Sequence, residues 1–255
     1  MFVFPMAGLS SRFTKAGYKK PKYMLDAGGM TLFEHSIAGF SAYFKTEPFL
    51  FISLKGVVDP TFIREKCRRQ GLPDDHIIIA ELDAPTDGQA TTVASGLADI
   101  GVAEAEPLTI FNIDTIYSSF QHPVLPDAPD VAGYLDVFEG PGEHWSFVRP
   151  QHPDEQFGRA VEVTEKRRIS NLCSTGLYHF RSAGLFQQEF AAIRDVPASD
   201  LQGNERYIAP FYDRMIKNGK QVFYRVIDPQ SVQFSGTPDE YAQFVAQNGW
   251  EAERP

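Results

Sequence analysis

The sequence predicts an α/β protein built on a Rossmann-like, mainly parallel twisted sheet flanked by helices. Three observations carry that expectation. Short apolar runs alternate with amphipathic stretches through the first half of the chain, and strands alternating with helices imply parallel βαβ units. The chain has 255 residues, enough for one large α/β domain and too few for two full ones. Its hydrophobic fraction of 43% and charged fraction of 22% are ordinary for a chain with a sizeable core.

The elements follow in order. Phe2–Met6 is a short buried strand. Thr31–Phe44 is a helix, with Leu32, Phe33, Ile37 and Phe40 at helical spacing. Phe49–Leu54 is a strand, Pro60–Gln70 a helix, His76–Ala80 a strand, Gly88–Ile100 a helix and Leu108–Ile113 a strand. The second half changes character: Val131–Phe138, Arg159–Glu165 and Thr175–Phe180 are strands. The Pro/Gly-rich stretch from Glu139 to Phe157 is a loop with one short strand at Ser146–Val148. Helices are expected at Ala183–Arg194, Glu205–Asn218 and Pro238–Gln247, with a late strand at Val222–Asp228. No internal repeat or heptad run occurs, and strand order is not readable from these signals.

The 21 phenylalanines predict an aromatic-rich core. The two cysteines, Cys67 and Cys173, are far apart and in no metal-ligand spacing, which fits a reducing compartment, hence a cytoplasmic protein. The N-terminus lacks the basic leader of a signal peptide, and no stretch approaches the ~20 apolar residues of a membrane span. A net charge of −9 argues against a general nucleic-acid binder.

The positive charge that does exist is concentrated. Ala7-Gly8-Leu9-Ser10-Ser11-Arg12-Phe13 follows the first strand directly, at the carboxyl edge where open α/β sheets bind ligands. Gly8 permits close backbone approach, and N–H groups of Gly8, Leu9, Ser10 and Ser11 can cradle phosphate oxygens. Arg12, Lys15, Lys19, Lys20 and Lys22 follow with no acid before Asp26, a cluster able to neutralise a triphosphate and a departing pyrophosphate. The same string read alone is equally a solvated basic loop. Neither Gly-x-Gly-x-x-Gly nor Gly-Lys-Ser/Thr is present.

With Pro21-Lys22 shortly after it, the Ala7-Gly8-x-x-Ser11-Arg12-Phe13 string resembles the signature of the sugar-phosphate nucleotidyltransferases, or nucleoside-diphosphate-sugar pyrophosphorylases, usually Gly-x-Gly-x-Arg then Pro-Lys. Ser10 stands where the second glycine is usual. The resemblance runs along nearly the whole chain and implies a single nucleotidyltransferase domain over 1–255, with a nucleotide-binding part of about 1–115 and an acceptor-binding part of about 116–255. It implies transfer of a nucleoside monophosphate from a triphosphate to a sugar 1-phosphate or similar small phosphorylated metabolite, with release of pyrophosphate and Mg²⁺ as cofactor.

The resemblance also distributes roles. Arg12, Lys22 and Asp114 are the expected catalytic residues, with Asp114 on the metal. Asp114 closes Phe111-Asn112-Ile113-Asp114-Thr115 at a strand end, where a carboxylate can hold Mg²⁺ against phosphates; alone it could equally cap a turn. Ala7 to Ser11, with Asp87, Gly88 and Gln89, are expected on the nucleotide. Gln89 carries both a donor and an acceptor for a base edge, although Thr86-Asp87-Gly88-Gln89-Ala90 is otherwise a polar helix start with Asp87 near the cap. Glu165, Lys166 and Gly176 are expected at the acceptor, the glutamate on hydroxyls and the lysine on phosphate; by itself Glu-Lys is a common solvated pair.

Asn204-Glu205-Arg206-Tyr207 resembles the polar start of a helix in one branch. Phe234-Ser235-Gly236-Thr237-Pro238-Asp239 resembles the closing Gly-Thr-Pro-Glu/Asp element, where the main branch has a second metal aspartate at the position of Phe234. Either Asp114 works with phosphate oxygens and water alone, or another carboxylate such as Asp228 substitutes. Trp145-Ser146-Phe147, together with Glu165-Lys166-x-x-Ile169-Ser170-Asn171, is similar to a branch found with capsule or surface-polysaccharide genes. A nucleoside triphosphate and a phosphorylated acceptor are the expected partners, with no nucleic acid and no membrane; a homo-oligomer is left open. The competing readings are a metal-dependent glycosyltransferase using Asn112-Ile113-Asp114 and a catalytically inactive nucleotide-sugar-binding module.

Overall fold

A computed structural model gives the fold, described for residues 1–254. The buried strand β1 (Phe2–Pro5) is followed by the short helix α1 (Ser11–Lys15), then a two-strand hairpin, β2 (Asp26–Ala27) and β3 (Met30–Thr31). Helix α2 (Leu32–Ala38) starts on a capping box. Thr31 Oγ1 accepts the Glu34 N–H at 3.3 Å, and the Glu34 carboxylate accepts the Thr31 N–H at 2.8 Å. It ends before the expected Phe44, with a separate 3₁₀ turn at Ser41–Tyr43. Strand β4 (Phe49–Leu54) matches its prediction. Helix α3 (Pro60–Arg69) begins with Pro60 behind the Asp59 cap, as a first-turn proline should.

Next come β5 (Ile77–Leu82), α4 (Gln89–Ile100), β6 (Leu108–Phe111) and β7 (Thr115–Tyr117). Helix α4 stops at Gly101, whose φ of 62° suits glycine at a helix end. The second half holds β8 (Val131–Glu139), β9 (Ser146–Pro150), β10 (Phe157–Glu165), β11 (Leu172–Phe180), α5 (Ala183–Ala191), α6 (Ala209–Lys217), β12 (Gln221–Val226), β13 (Val232–Phe234) and α7 (Pro238–Gln247). Helix α6 starts later than the expected Glu205 because Glu205 is extended, at φ −143° and ψ 161°, and Pro210 falls in the first turn.

The chain divides into two compact units. One comprises Met1–Val3, Thr86–Phe111 and His122–Pro229. Its strand order is β1-β6-β11-β8-β12-β10-β9, and β9 pairs back onto β11, so β11, β8, β12, β10 and β9 close into a five-stranded barrel. Pairs β1–β6 and β8–β12 are parallel; β6–β11, β11–β8, β12–β10, β10–β9 and β9–β11 are antiparallel. The sheet is therefore mixed rather than mainly parallel. The physical reason is connection length: 140–145, 151–156 and 166–171 link β8 to β9, β10 and β11 without a crossover helix, and a parallel pair needs a dozen or more residues to return. Across the barrel strands β12 and β8, Arg225 Nε donates to Asp136 Oδ1 at 2.8 Å, and Asp136 is fully buried, so the charge is both paired and hydrogen-bonded.

The other unit comprises Phe4–Pro85, Asn112–Gln121 and the chain from Gln230 onward. Here β4 and β5 are parallel, and β7 and β13 form an antiparallel ribbon. Its core is aromatic, as the composition suggests: Phe4 stacks on Phe51 with centroids 5.3 Å apart, and Phe33 meets Phe51 at 5.2 Å. A second cluster gathers Phe13, Leu25, Leu32, Ile116, Tyr241 and Phe244. Among the described residues no helix is long and apolar enough to cross a membrane.

Candidate active site

Because β1 and β6 are parallel, both chains leave their strands at the same edge. After β1 the backbone turns through Ala7–Ser10 into α1. Gly8 and Leu9 are exposed, and a Cβ built on Gly8 would meet nothing within 4 Å, so no packing demands glycine there and the face is open. Ser10 has φ 49° and ψ 35°, the left-handed conformation that glycine adopts at the least cost. Its carbonyl accepts the Phe13 N–H at 2.9 Å, and its Oγ accepts the Lys22 N–H at 3.2 Å. Phe13, buried in the second cluster, anchors α1 and leaves Ser11 and Arg12 exposed.

Lys22 opens a 3₁₀ turn after Pro21, and its ammonium donates to Asp114 Oδ2. Both side chains keep about a fifth of their surface exposed, at 21% and 24%. Asp114 is fixed through its backbone: its carbonyl accepts both the N–H of Ser235, at 2.8 Å, and its Oγ, at 3.1 Å. Ribbon register sets Phe234 opposite Thr115, one residue from Asp114. A Cβ on Gly236 would lie 2.7 Å from Asp114 Oδ2 and 3.4 Å from Glu240 Oε2, so the carboxylate packs directly against the glycine and a side chain there would collide with it. The opening loop and Asp114 thus meet. Of the remaining lysines in the basic run, Lys20 is ion-paired to Glu253 at 2.6 Å, so it is not simply part of a phosphate cradle.

In the first unit, Asp87-Gly88-Gln89 leads into α4. The cap is Gly88, not Asp87: the Asp87 carboxylate instead accepts from Thr91 Oγ1 at 2.5 Å and from the Arg206 guanidinium. The carbonyl of Arg206 accepts the Ala90 N–H at 2.8 Å, satisfying an amide that the helix start would leave free. Gly88 has φ 151°, and a Cβ there would lie 2.6 Å from the Arg206 backbone.

Glu165 ends β10 and is buried. Its carboxylate accepts from Ser146 Oγ at 2.5 Å, and its N–H donates to Gln202 Oε1 at 2.7 Å. Burial pushes its carboxyl above the ordinary range, against the lowering effect of Ser146. Lys166 is exposed with φ 53°; its N–H donates to Trp145 O at 2.9 Å and its ammonium to the Tyr207 hydroxyl. Gly176 (φ 84°) lies where β11 slips register against β8, between Ser174 and Tyr178. Arg206, Tyr207 and Gln202 are the participants that sequence reasoning missed. Arg206-Tyr207 stood out only as part of a polar helix start, and nothing local ties it to Asp87 or Lys166.

The donor set around Asp114 suits a hard cation. Among the described residues no group of three His, Cys, Asp or Glu could hold a metal, so the donor the protein offers here is the Asp114 carboxylate, which Lys22 also contacts. Mg²⁺ fits such a site, since it keeps several waters and takes one or two carboxylates plus substrate phosphates.

A glycine-serine turn with a lysine on an aspartate between β6 and β7, carried by this mixed α/β fold, is consistent with a nucleotidyltransferase. Comparison with known proteins makes the assignment narrower. The chain is similar to the nucleoside-diphosphate-sugar pyrophosphorylase from Vibrio cholerae RC9, at 44% identity over 97% of this chain and 100% of that one, with a TM-score of 0.86. It therefore belongs to the nucleoside-diphosphate-sugar pyrophosphorylase family. The fold is shared with UDP-glucose pyrophosphorylase complexed with UDP-glucose (16% identity, 97% of each chain, TM-score 0.73). It is shared also with the inositol-1-phosphate CTP transferase from T. maritima (14% identity, 98% and 96% of the chains, TM-score 0.66). No family model matches the chain, and neither does any curated protein.

Proposed function

We propose that the chain transfers a nucleoside monophosphate from a nucleoside triphosphate to a sugar 1-phosphate or similar small phosphorylated metabolite and releases pyrophosphate. The observation that carries this is the Lys22–Asp114 pair beside the Ala7–Ser11 turn, which concentrates phosphate-binding groups around one carboxylate. Membership of the pyrophosphorylase family and the shared fold with a UDP-glucose pyrophosphorylase and an inositol-1-phosphate CTP transferase support the same reaction. The whole chain acts as one nucleotidyltransferase domain, about 1–115 serving mainly the nucleotide and about 116–255 the acceptor.

A phosphate oxygen of the acceptor attacks the α-phosphorus in line, and the bond to pyrophosphate breaks. The acceptor is already anionic, so no general base is required. Arg12 and Lys22 bind the phosphates and offset charge on the leaving pyrophosphate. Ala7–Ser11 orients the triphosphate through its amides, and Gln89 reads the base edge. Lys166 holds the acceptor phosphate, Glu165 a hydroxyl, and Gly176 leaves room for the acceptor at the β11 bulge. Positioning supplies most of the acceleration. Mg²⁺ on Asp114 supplies additional charge neutralisation at the phosphates when bound. Buried, unpaired Cys67 and Cys173 suit a cytoplasmic enzyme of nucleotide-sugar biosynthesis, and the Trp145-Ser146-Phe147 segment supports a role in polysaccharide supply.

The test is a matrix of the four common triphosphates against phosphorylated sugars, polyols and amino alcohols, following pyrophosphate. Release of nucleoside diphosphate from a nucleotide sugar would point to a glycosyltransferase instead. Asp114→Asn should lower turnover at least a hundredfold with the melting temperature nearly unchanged; near-normal turnover would remove Asp114 from the chemistry.

A further inference from the structure

Two consecutive residues, Arg206 and Tyr207, touch two segments to which the proposed function gives different substrates. Arg206 is 8% exposed. Its guanidinium donates to the Asp87 carboxylate, to Arg194 O at 2.8 Å and to Val196 O at 2.7 Å, so a buried charge is held by one acid and two carbonyls. Its backbone works on the same loop. The Arg206 N–H donates to Asp87 O at 3.2 Å, and the Arg206 carbonyl caps the Ala90 N–H at 2.8 Å. Gly88 permits that approach, because any side chain there would meet the Arg206 backbone.

One residue on, the Tyr207 hydroxyl accepts from Lys166 Nζ, and the ammonium stands 4.4 Å from the ring centroid. Just upstream, Gln202 accepts the Glu165 N–H at 2.7 Å. Gly203 (φ 71°) leaves space that a Cβ would take from the Tyr207 ring, at 2.8 Å, and the Lys166 stem, at 3.4 Å. The choice of partner matters. A carboxylate would hold Lys166 but neutralise it, whereas a phenol oxygen and a π face fix the ammonium and leave its charge for a phosphate. Lys166 needs such fixing, since it has a long flexible side chain and a left-handed backbone.

We infer that Gln202–Tyr207 is a positioning segment that sets the base-side loop and the acceptor-side strand end together, with Arg206 fixing Asp87–Ala90 and Tyr207 fixing Lys166. The inference rests on the proposed roles of Asp87–Gln89 and Lys166. Arg206 and Tyr207 act through those residues and touch no reacting atom. Because they are adjacent, a disturbance at Arg206 reaches both substrates, whereas loss of the Tyr207 hydroxyl reaches one.

The experiment measures triphosphate affinity by calorimetry without acceptor, acceptor KM from pyrophosphate release at saturating triphosphate, and melting temperature. Tyr207→Phe keeps the ring and removes the hydroxyl. Its acceptor KM should rise roughly tenfold, the effect of one charge-assisted hydrogen bond, while nucleotide Kd stays within about twofold. Arg206→Gln should weaken nucleotide binding and raise acceptor KM together, each by roughly fivefold or more. If Arg206→Gln does not fold, Asp87→Asn breaks the same ion pair from its half-exposed side and should weaken nucleotide binding alike. An active wild type with unchanged acceptor KM in Tyr207→Phe, or unchanged nucleotide Kd in Arg206→Gln, overturns the inference and leaves the reaction standing. A wild type that binds nucleotide but releases no pyrophosphate counts against the reaction; nucleotide Kd in Arg206→Gln then still decides the positioning role.

Discussion

Ser10 shows how one side chain can offset its own backbone cost. A non-glycine residue at φ 49° is disfavoured by roughly 1–2 kcal/mol, yet the hydroxyl accepts the Lys22 N–H and so ties the turn to the lysine that reaches Asp114. Ser10→Ala keeps the conformational cost and loses the hydrogen bond, and should destabilise by about 1 kcal/mol in denaturant unfolding. Ser10→Gly relieves the conformation while losing the same bond, and should lie within about 0.5 kcal/mol of wild type. A Ser10→Gly loss as large as that of Ser10→Ala would show that the left-handed conformation costs nothing here. The departure from the usual glycine was legible in the sequence; the hydrogen bond that accompanies it was not, because Lys22 reaches Ser10 only when the intervening chain folds back.

Elements meet in ways that local pattern does not encode. Strands β6, β11 and β8 bring Thr109, His179 and Tyr134 together with His122: Thr109 Oγ1 lies 3.0 Å from His179 Nδ1, and His122 Nδ1 lies 2.8 Å from the Tyr134 hydroxyl. Burial is the largest cause lowering both imidazoles, His122 to about 4 and His179 to about 3. Both are therefore neutral in the fold while the unfolded chain takes up protons near the ordinary histidine value of about 6.5. The unfolded state binds more protons in that window, so stability is fully present above about pH 6.5 and falls as pH drops through the folded values. His122→Gln should flatten the decline between pH 6.5 and 4, by at most about 3 kcal/mol; an unaltered pH profile of the unfolding midpoint would exclude it. Helix α1 falls in a segment read as a loop and α2 ends at Ala38 instead of Phe44, while helices α3 to α7 and most strands were readable to within a few residues from periodicity and caps. The β7–β13 ribbon was not, because each strand is three residues long and joins segments far apart in sequence.

At the scale of the molecule, an acidic chain carries a local basic turn, and on the proposed function the binding of an anionic nucleotide should register as stability. A triphosphate with Mg²⁺ at about 100 times its Kd adds about 2.7 kcal/mol to the folded state, and for a chain of this size that raises Tm by roughly 5–10 °C. Scanning calorimetry across a concentration series checks this. Equal shifts with and without Mg²⁺ would argue that the metal adds nothing to nucleotide binding. The amino-acid sequence by itself determined the composition of the core, the positions of most elements, the basic glycine-serine turn and the acid at Asp114, because these depend on local spacing and on residue type. Tertiary structure alone decided that the later strands close a mixed barrel, that Arg206 holds Asp87 while Tyr207 holds Lys166, and that Asp114 packs against Gly236. Those contacts join residues tens to more than a hundred positions apart, and a pairing over such distances is fixed by packing and strand register rather than by any pattern within one segment.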